Sequence, residues 1–476
     1  MPSLLILMPL IGIVILNLPL KDIMRKFAFW FALILFVSQI LLAISHHPIF
    51  WRNEFSHIDS FFKADYSLDQ LSFIMLLCIG IVSISTLLVA RNTIHDEKER
   101  FKFINLLIIA SIGMSGIVIV RDIFSLYVFL EVTAISTFVL IAFEKDIYAL
   151  EGAFKYLILS AVATIMILTS IALLFMISGS TSFAAIREAL LLPNNNIVLV
   201  TIGLLICGLL IKGGLVPFHA WVPDSYSSAP AAVSVLLGGI VTKVAGIYTL
   251  IRVLTAILGF SPALKSTLLL IGTLSILVGA FAAMGQNDMK RMLAYSSISQ
   301  VGYIVVGFGT GTFLGIAGAI FHLFNHSIFK SLLFVNSAAV ETRLGTTDMD
   351  KMGGLSSKMP ITGATSVIGL LSAAGIPPLS GFWSKLMIII ALWQSGSHAY
   401  SVIAIMAGVI TLAYLLVMQR RAFFGKLAKE NEHLKEARPG IATASIILAA
   451  ILVASGIFFP FVFNTFIAPL QELITK

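Results

Sequence analysis

The chain has 476 residues, of which 58% are hydrophobic and only 11% charged, and its mean hydropathy is +1.01. A soluble domain carries roughly a quarter charged residues, so a water-covered globule is excluded and lipid is the solvent that fits. The net charge of +8 does not point to nucleic acid, because the basic residues fall in an alternating loop pattern set out below.

A membrane-crossing helix needs about 20 apolar residues. Fourteen spans are predicted, at about 3–20, 27–45, 68–90, 103–120, 123–143, 152–178, 197–217, 229–251, 266–284, 291–309, 312–339, 361–392, 400–419 and 441–463. Lys21, Arg25 and Lys26 follow the first apolar run instead of preceding it. That run is therefore expected to remain as a helix and not to be cleaved as a signal peptide. Cys78 and Cys207 each stand alone in an apolar run and suggest no disulfide framework, zinc site or iron–sulfur ligand set. No glycine-rich turn follows a strand, so no nucleotide or flavin site, and no cofactor, is expected on this chain.

The basic residues test the span count. Twenty of the 31 Lys and Arg residues lie on one side of the predicted alternation, seven (Arg52, Lys63, Arg121, Arg187, Arg252, Lys265 and Lys476) on the other and four inside spans. The positive-inside rule then places both termini outside and the 419–439 loop in the cytoplasm, as expected for a multi-pass protein of a prokaryotic inner or plasma membrane.

The four lysines inside spans are Lys212, Lys243, Lys330 and Lys385, and Glu131 lies near the middle of the fifth span. Each ionisable group at the bilayer centre costs roughly 2.5–3.5 kcal/mol on insertion scales. Five uncompensated groups would cost on the order of 10 kcal/mol, comparable to a whole folding stability. They are expected to face the bundle interior, to pair or to meet water. One glutamate cannot pair four lysines, which counts against purely structural ion pairs. In the eleventh span His322, His326 and Lys330 recur every four residues with Asn325 beside them, so they line one helix face. Histidine titrates near physiological pH and can relay protons.

Two spans are interrupted. Lys212 is followed by Gly213-Gly214-Leu215-Val216-Pro217, and Gly375-Ile376-Pro377-Pro378-Leu379-Ser380-Gly381 precedes Trp383 and Lys385. Glycine and proline at such depth open the helical ladder, and broken backbone is tolerated only against protein or a wet cavity. Gly214-x-x-Pro217 and Gly375-x-x-Pro378 share a spacing at an offset of 161 residues, and the same offset carries the sixth span onto the eleventh. Spans four to eight and nine to thirteen then form two five-helix repeats. Five is odd, so the second repeat enters inverted, an architecture common in transporters. The expected fold is an all-α membrane protein of about 14 transmembrane helices. Residues 1–101 form an N-terminal group, 102–252 and 265–424 the two inverted repeats with one broken helix each, and 440–476 a last helix.

At these residues the chain resembles the antiporter-like subunits shared by respiratory complex I, Mrp-type multisubunit cation/proton antiporters and membrane-bound hydrogenases. The matching segments are Leu130-Glu131, K-G-G-L-V-P-F-H-A-W-V-P-D from Lys212, A-P-A-A-V-S-V-L-L from Ala229, V-T-K-V-A-G-I-Y from Val241, D-M-K-R-M-L-A-Y-S-S-I-S-Q-V-G-Y from Asp288, the His–His–Lys stripe, and G-I-P-P-L-S-G-F-W-S-K from Gly375. The resemblance implies a fourteen-helix core in which Glu131 and Lys212 form the charge pair of one half-channel. Lys243 links it to the centre, His322, His326 and Lys330 continue the path, and Lys385 serves the second half-channel. It further implies that loss of the Glu131 partner eases proton release from Lys212. Gln300 stands where some members carry histidine, and Lys385 where some carry glutamate; both variants occur in the family. The chain ends soon after the last span, so the long lateral helix of the largest complex I antiporter-like subunit is not expected.

The function expected is proton translocation within a larger energy-converting complex, with other membrane subunits and the lipid bilayer as partners and no nucleic acid. Redox chemistry would then reside on other subunits, and sodium is a second candidate ion. A stand-alone sodium/proton or solute/proton transporter is the alternative reading, and a non-transporting scaffold a third.

Overall fold

The computed structural model describes residues 3–18, 21–45, 66–191, 196–427 and 429–471. Arg52, Lys63 and Lys476, counted in the charge alternation, lie outside the described residues. The described residues contain helices and no strand. The helices are α1 (Leu4–Leu16), α2 (Lys21–Ser45), α3 (Gln70–Thr93), α4 (Glu97–Ile119), α5 (Ile123–Ile141), α6 (Ile147–Ser178), α7 (Phe183–Leu190), α8 (Asn196–Gly213) and α9 (Trp221–Ser228). They continue as α10 (Ala231–Leu258), α11 (Pro262–Met284), α12 (Met289–Gly309), α13 (Phe313–Leu344), α14 (Pro360–Ala374), α15 (Ser380–Gln394), α16 (His398–Ala422) and α17 (Pro439–Ile457). Twelve of these are long and apolar enough to cross a membrane; α1 and α14 are shorter apolar helices.

Side-chain caps set the helix starts. Asp69, Asp96, Asp122, Asp146 and Asp288 each accept a hydrogen bond from a backbone N–H in the first turn of the following helix, satisfying donors the helix itself cannot pair. Both 32-residue helices, α6 and α13, end on a glycine in the left-handed region, Gly179 at φ 65° and Gly345 at φ 74°, where a Cβ would be strained.

Burial separates a centre from a rim. The most apolar stretch of α10 is wholly buried and those of α12 and α13 are 94% buried, against 28% for α6 and 39% for α2 and α16. The polar residues within those stretches of α10 and α13 are therefore largely enclosed by protein. The central helices approach closely through small residues. A Cβ on Gly246 of α10 would lie 2.2 Å from the Cα of Gly213 on α8, and one on Gly239 2.2 Å from Ser331 Oγ on α13.

The two interruptions fall where the glycines and prolines predict them. α8 ends at Gly213 and α9 begins at Trp221, while α14 ends at Ala374 and α15 begins at Ser380. The Val216–Pro217 and Pro377–Pro378 bonds are cis. Backbone groups freed at the breaks find partners: Trp221 Nε1 donates to Ile211 O at 3.1 Å, and Val216 N–H donates to Ser275 Oγ at 3.0 Å.

A pair of backbone hydrogen bonds recurs along the chain. Ile123 N–H donates to Thr181 O and Phe183 N–H to Arg121 O; 166 residues further on, Met289 N–H donates to Thr347 O and Met349 N–H to Asn287 O. Both ends of α6 map onto both ends of α13 at that same spacing, not at the 161 expected from the sequence. The smaller spacing applies to the breaks alone, because the segment from Gly345 to Gly375 is five residues shorter than the one from Gly179 to Gly214. The eight-residue helix α7 falls between predicted spans, in a stretch too short and too polar to suggest a crossing.

Candidate functional site

Glu131 on α5 and Lys212 at the end of α8 are brought together, with Lys212 Nζ donating to Glu131 Oε1 at 3.3 Å. Two hydroxyls of α6, one turn apart, complete the cluster. Thr164 Oγ1 donates to the same Glu131 oxygen at 2.6 Å, and Lys212 Nζ lies 3.2 Å from Ser160 Oγ and 3.4 Å from Thr164 Oγ1. The Lys212 side chain is 4% exposed and that of Glu131 26%. The carboxylate retains surface because α5 lies toward the rim. Beside Lys212 a cavity of about 10 Å³, lined by Tyr156, Ser160, Thr242 and Ala245 among others, is at the threshold for one water molecule.

Lys243 is fully buried in α10, and its ammonium donates to Gly238 O of its own helix. The glycines flanking it touch both neighbours, Gly238 and Gly239 meeting Phe334 and Ser331 of α13 and Gly246 meeting α8. Lys243 thus stands between the helix of Lys212 and the helix of Lys330. Lys330, also fully buried, donates to Leu293 O of α12 at 2.9 Å.

His322 and His326 stack on one face of α13 with ring centroids 6.3 Å apart and planes within 5°. His322 Nδ1 is 2.9 Å from Ser384 Oγ of α15. Its Nε2 and both ring nitrogens of His326 are buried without a partner among the described residues. Lys385 of α15 donates to Ala373 O, freed by the second break, at 2.7 Å, and its ammonium sits 4.6 Å from the centre of the Tyr303 ring. The same ring lies 5.9 Å from His322, so Tyr303 touches both. Asn325 Nδ2 donates to Ser380 O at 3.0 Å, holding α13 against the start of α15.

The seven residues singled out in the sequence therefore form two groups, Glu131–Lys212 and His322–Lys385, the second joined through the Tyr303 ring, with Lys243, Lys330 and His326 between them. Among the described residues no direct hydrogen bond joins Lys212 to Lys243 or Lys330 to Lys385. Every member can carry or pass a proton, and the hydroxyls of Ser160, Thr164 and Ser384 supply further exchangeable hydrogens. Sequence reasoning missed Ser160 and Thr164, although two hydroxyl residues four apart in an apolar span share one helix face.

Three further charge clusters lie apart from these groups. Lys290 pairs with Glu341 at 2.7 Å, and Asp224 bridges Lys155 and Arg291 at 2.7 Å each. Arg252, counted as an outer loop residue in the sequence, lies within α10, 2% exposed, and forks onto Asp69.

Comparison with known proteins agrees with this architecture. The family described as NADH:quinone oxidoreductase/Mrp antiporter, TM, matches residues 120–411. One of the Na(+)/H(+) antiporter subunits of Alkalihalophilus pseudofirmus is 35% identical over 370 residues, covering 77% of this chain and 74% of that protein. NADH-quinone oxidoreductase subunit N of Desulforudis audaxviator is 31% identical over 351 residues, 72% of this chain and 69% of that one. A chain in the structure of the membrane-bound sulfane sulfur reductase, an archaeal respiratory membrane complex, superposes with a TM-score of 0.87 at 28% identity, covering 100% of this chain and 98% of its own. The chain belongs to the NADH:quinone oxidoreductase/Mrp antiporter transmembrane family.

Proposed function

We propose that this chain is the proton-translocating, antiporter-like subunit of a larger energy-converting membrane complex. Protons pass along Glu131, Lys212, Lys243, Lys330, His326, His322 and Lys385. The observation that carries this reading is the Glu131–Lys212 pair: a carboxylate and a nearly buried ammonium 3.3 Å apart, set on helices of membrane-crossing length. Such a pair is expensive at that depth and typically marks an ion path. Movement of Glu131 toward or away from Lys212 changes how tightly the ammonium holds its proton. Lys243 and Lys330 carry the charge across the centre, and His322 with Lys385 forms the second half-channel.

The recurrence of the paired backbone bonds at 166 residues, with a broken helix in each half, supports two repeats over 102–252 and 265–424 between flanking segments 1–101 and 440–476. Counting α1 and the interrupted α14–α15 with the twelve long helices supports fourteen spans. The second repeat is then inverted, with both chain termini on the outer side. The similar proteins are named as subunits of an Na(+)/H(+) antiporter and of NADH-quinone oxidoreductase. This chain accordingly works beside other membrane subunits in a bacterial or archaeal plasma membrane. Any redox cofactor of the parent complex resides on those partners.

The test is proton pumping by the purified parent complex in proteoliposomes with Glu131→Ala or Lys212→Ala. Each fully assembled variant is expected to lose at least about 90% of pumping. Wild-type pumping in both overturns the assignment and leaves the scaffold reading.

A further inference from the structure

The helix that carries Lys243 is not a regular α-helix. Within α10 the segments Leu237–Val241, Lys243–Tyr248 and Leu254–Leu258 are π-helical. A π turn houses one additional residue, and one residue corresponds to about 100° of rotation about a helix axis. The face on which Lys243 emerges therefore depends on where the additional residue sits. Among the described residues no carboxylate fixes that face, and the Lys243 ammonium bonds to Gly238 O in its own helix.

The register is held instead at the following turns. Arg252 forks onto Asp69, Nη1 to Oδ2 at 2.5 Å and Nη2 to Oδ1 at 2.8 Å. Arg252 Nη2 also reaches Tyr248 Oη at 2.8 Å, and Tyr248 Oη donates to Val118 O of α4 at 2.6 Å. Asp69 in turn caps α3 through Ser72 N–H at 2.9 Å and receives Arg121 at 3.2 Å. Burial alone would raise the Asp69 carboxyl, but the Arg252 guanidinium, with Arg121, holds it well below the usual carboxylate range. A planar guanidinium on a carboxylate is directional in a way apolar packing is not. Slipping α10 by one residue would swing Arg252 away from Asp69 and leave a buried guanidinium without its carboxylate, while Asp69 would keep Arg121 alone.

We propose that Asp69 and Arg252, with Tyr248, are positioning residues for proton transfer: they fix the π register of α10 and so aim Lys243 at α13. In this register Gly238, whose carbonyl receives Lys243, faces α13: a Cβ there would lie 2.3 Å from the Phe334 ring. A shifted register turns Lys243 off that face and interrupts the path at its centre. The inference rests on the reading of Lys243 as a member of the path.

The test uses the intact parent complex carrying Asp69→Asn, Arg252→Lys, Tyr248→Phe or Lys243→Met. Pumping is measured per assembled complex, and the register of residues 237–258 is read by cryo-electron microscopy. Asp69→Asn is expected to lower pumping about tenfold with the π segments displaced, and Arg252→Lys, which keeps charge but not the fork, to fall between it and wild type. Tyr248→Phe, which preserves shape, is expected to lose about threefold and decides the matter if Asp69→Asn does not assemble. Wild-type pumping per complex in Asp69→Asn or Tyr248→Phe, or reduced pumping with an unchanged register, overturns the clamp. Wild-type pumping in Lys243→Met overturns instead the path on which it rests.

Discussion

Glu131 Oε1 receives two donors at once, Thr164 Oγ1 at 2.6 Å and Lys212 Nζ at 3.3 Å. The partners are unequal. Glu131 keeps 26% of its side-chain surface and a hydroxyl donor, while Lys212 is 4% exposed and pairs with no other carboxylate among the described residues. The lysine depends on the glutamate more than the reverse.

Glu131→Gln is therefore expected to destabilise the complex more than Lys212→Met, because it leaves an ammonium buried without a counter-charge. Breaking a fully buried pair costs about 3–5 kcal/mol. The partial exposure of Glu131 and screening at its open edge reduce the expectation to roughly 2 kcal/mol. The double variant should resemble Lys212→Met alone, since the stranded charge is gone. Thermal unfolding of the four purified complexes checks this, and losses that simply add would contradict the coupling.

The approach of α10 to α8 leaves no room for a side chain. A Cβ on Gly246 meets Gly213 Cα at 2.2 Å and Gly213 N at 2.3 Å, backbone atoms that have no rotamer to yield. Gly246→Ala must push α10 from α8, with an expected loss of about 1–3 kcal/mol or more. A methyl group added at Gly203 on α8 would meet nothing within 4 Å, and Gly203→Ala should stabilise by roughly 0.5–1 kcal/mol. Opposite shifts in unfolding temperature are the expected result; equal shifts would show that the contact yields.

The features read correctly from sequence are those that lipid or local geometry dictates. Apolar runs marked the long helices because a span must be apolar along its whole length. Gly214, Pro217, Gly375 and Pro378 marked the interruptions because glycine and proline act on their own backbone. His322, His326 and Lys330 were grouped because four residues make about one helical turn. The features missed depend on distant partners. Arg252 lies 183 residues from Asp69, and the mostly apolar residues around it, from Thr249 to Leu258, carry no sign of that carboxylate.

His326 separates activity from stability. Both of its ring nitrogens are buried without a partner among the described residues, and Phe329 packs 5.3 Å from its ring. Replacing an unsatisfied buried polar group by an apolar one of similar size is close to neutral or stabilising, by about 1 kcal/mol. His326→Leu is expected to unfold at or above the wild-type temperature while pumping falls at least about tenfold. Retained pumping would remove His326 from the path, and a large stability loss would make its role structural.

The connection between α5 and α6 supplies a pH dependence outside the spans. Burial raises the Glu144 carboxyl above its ordinary value; Lys290 opposes the rise, and Glu341 and Asp146 add to it. The surrounding cavity, about 520 Å³, is also lined by Glu151, Asp224, Asp288 and Arg291. A carboxyl whose folded value is raised binds its proton more tightly folded than unfolded. Its contribution to stability is fully present below the unfolded value of 4.5 and is lost as pH rises through the folded value. Glu144→Gln stays neutral throughout, so it should match wild type near pH 4 and unfold at a higher temperature than wild type at pH 7 to 8. Scanning both complexes across that range tests the sign, and a difference that narrows with rising pH would show that Glu144 is instead held ionised by Lys290.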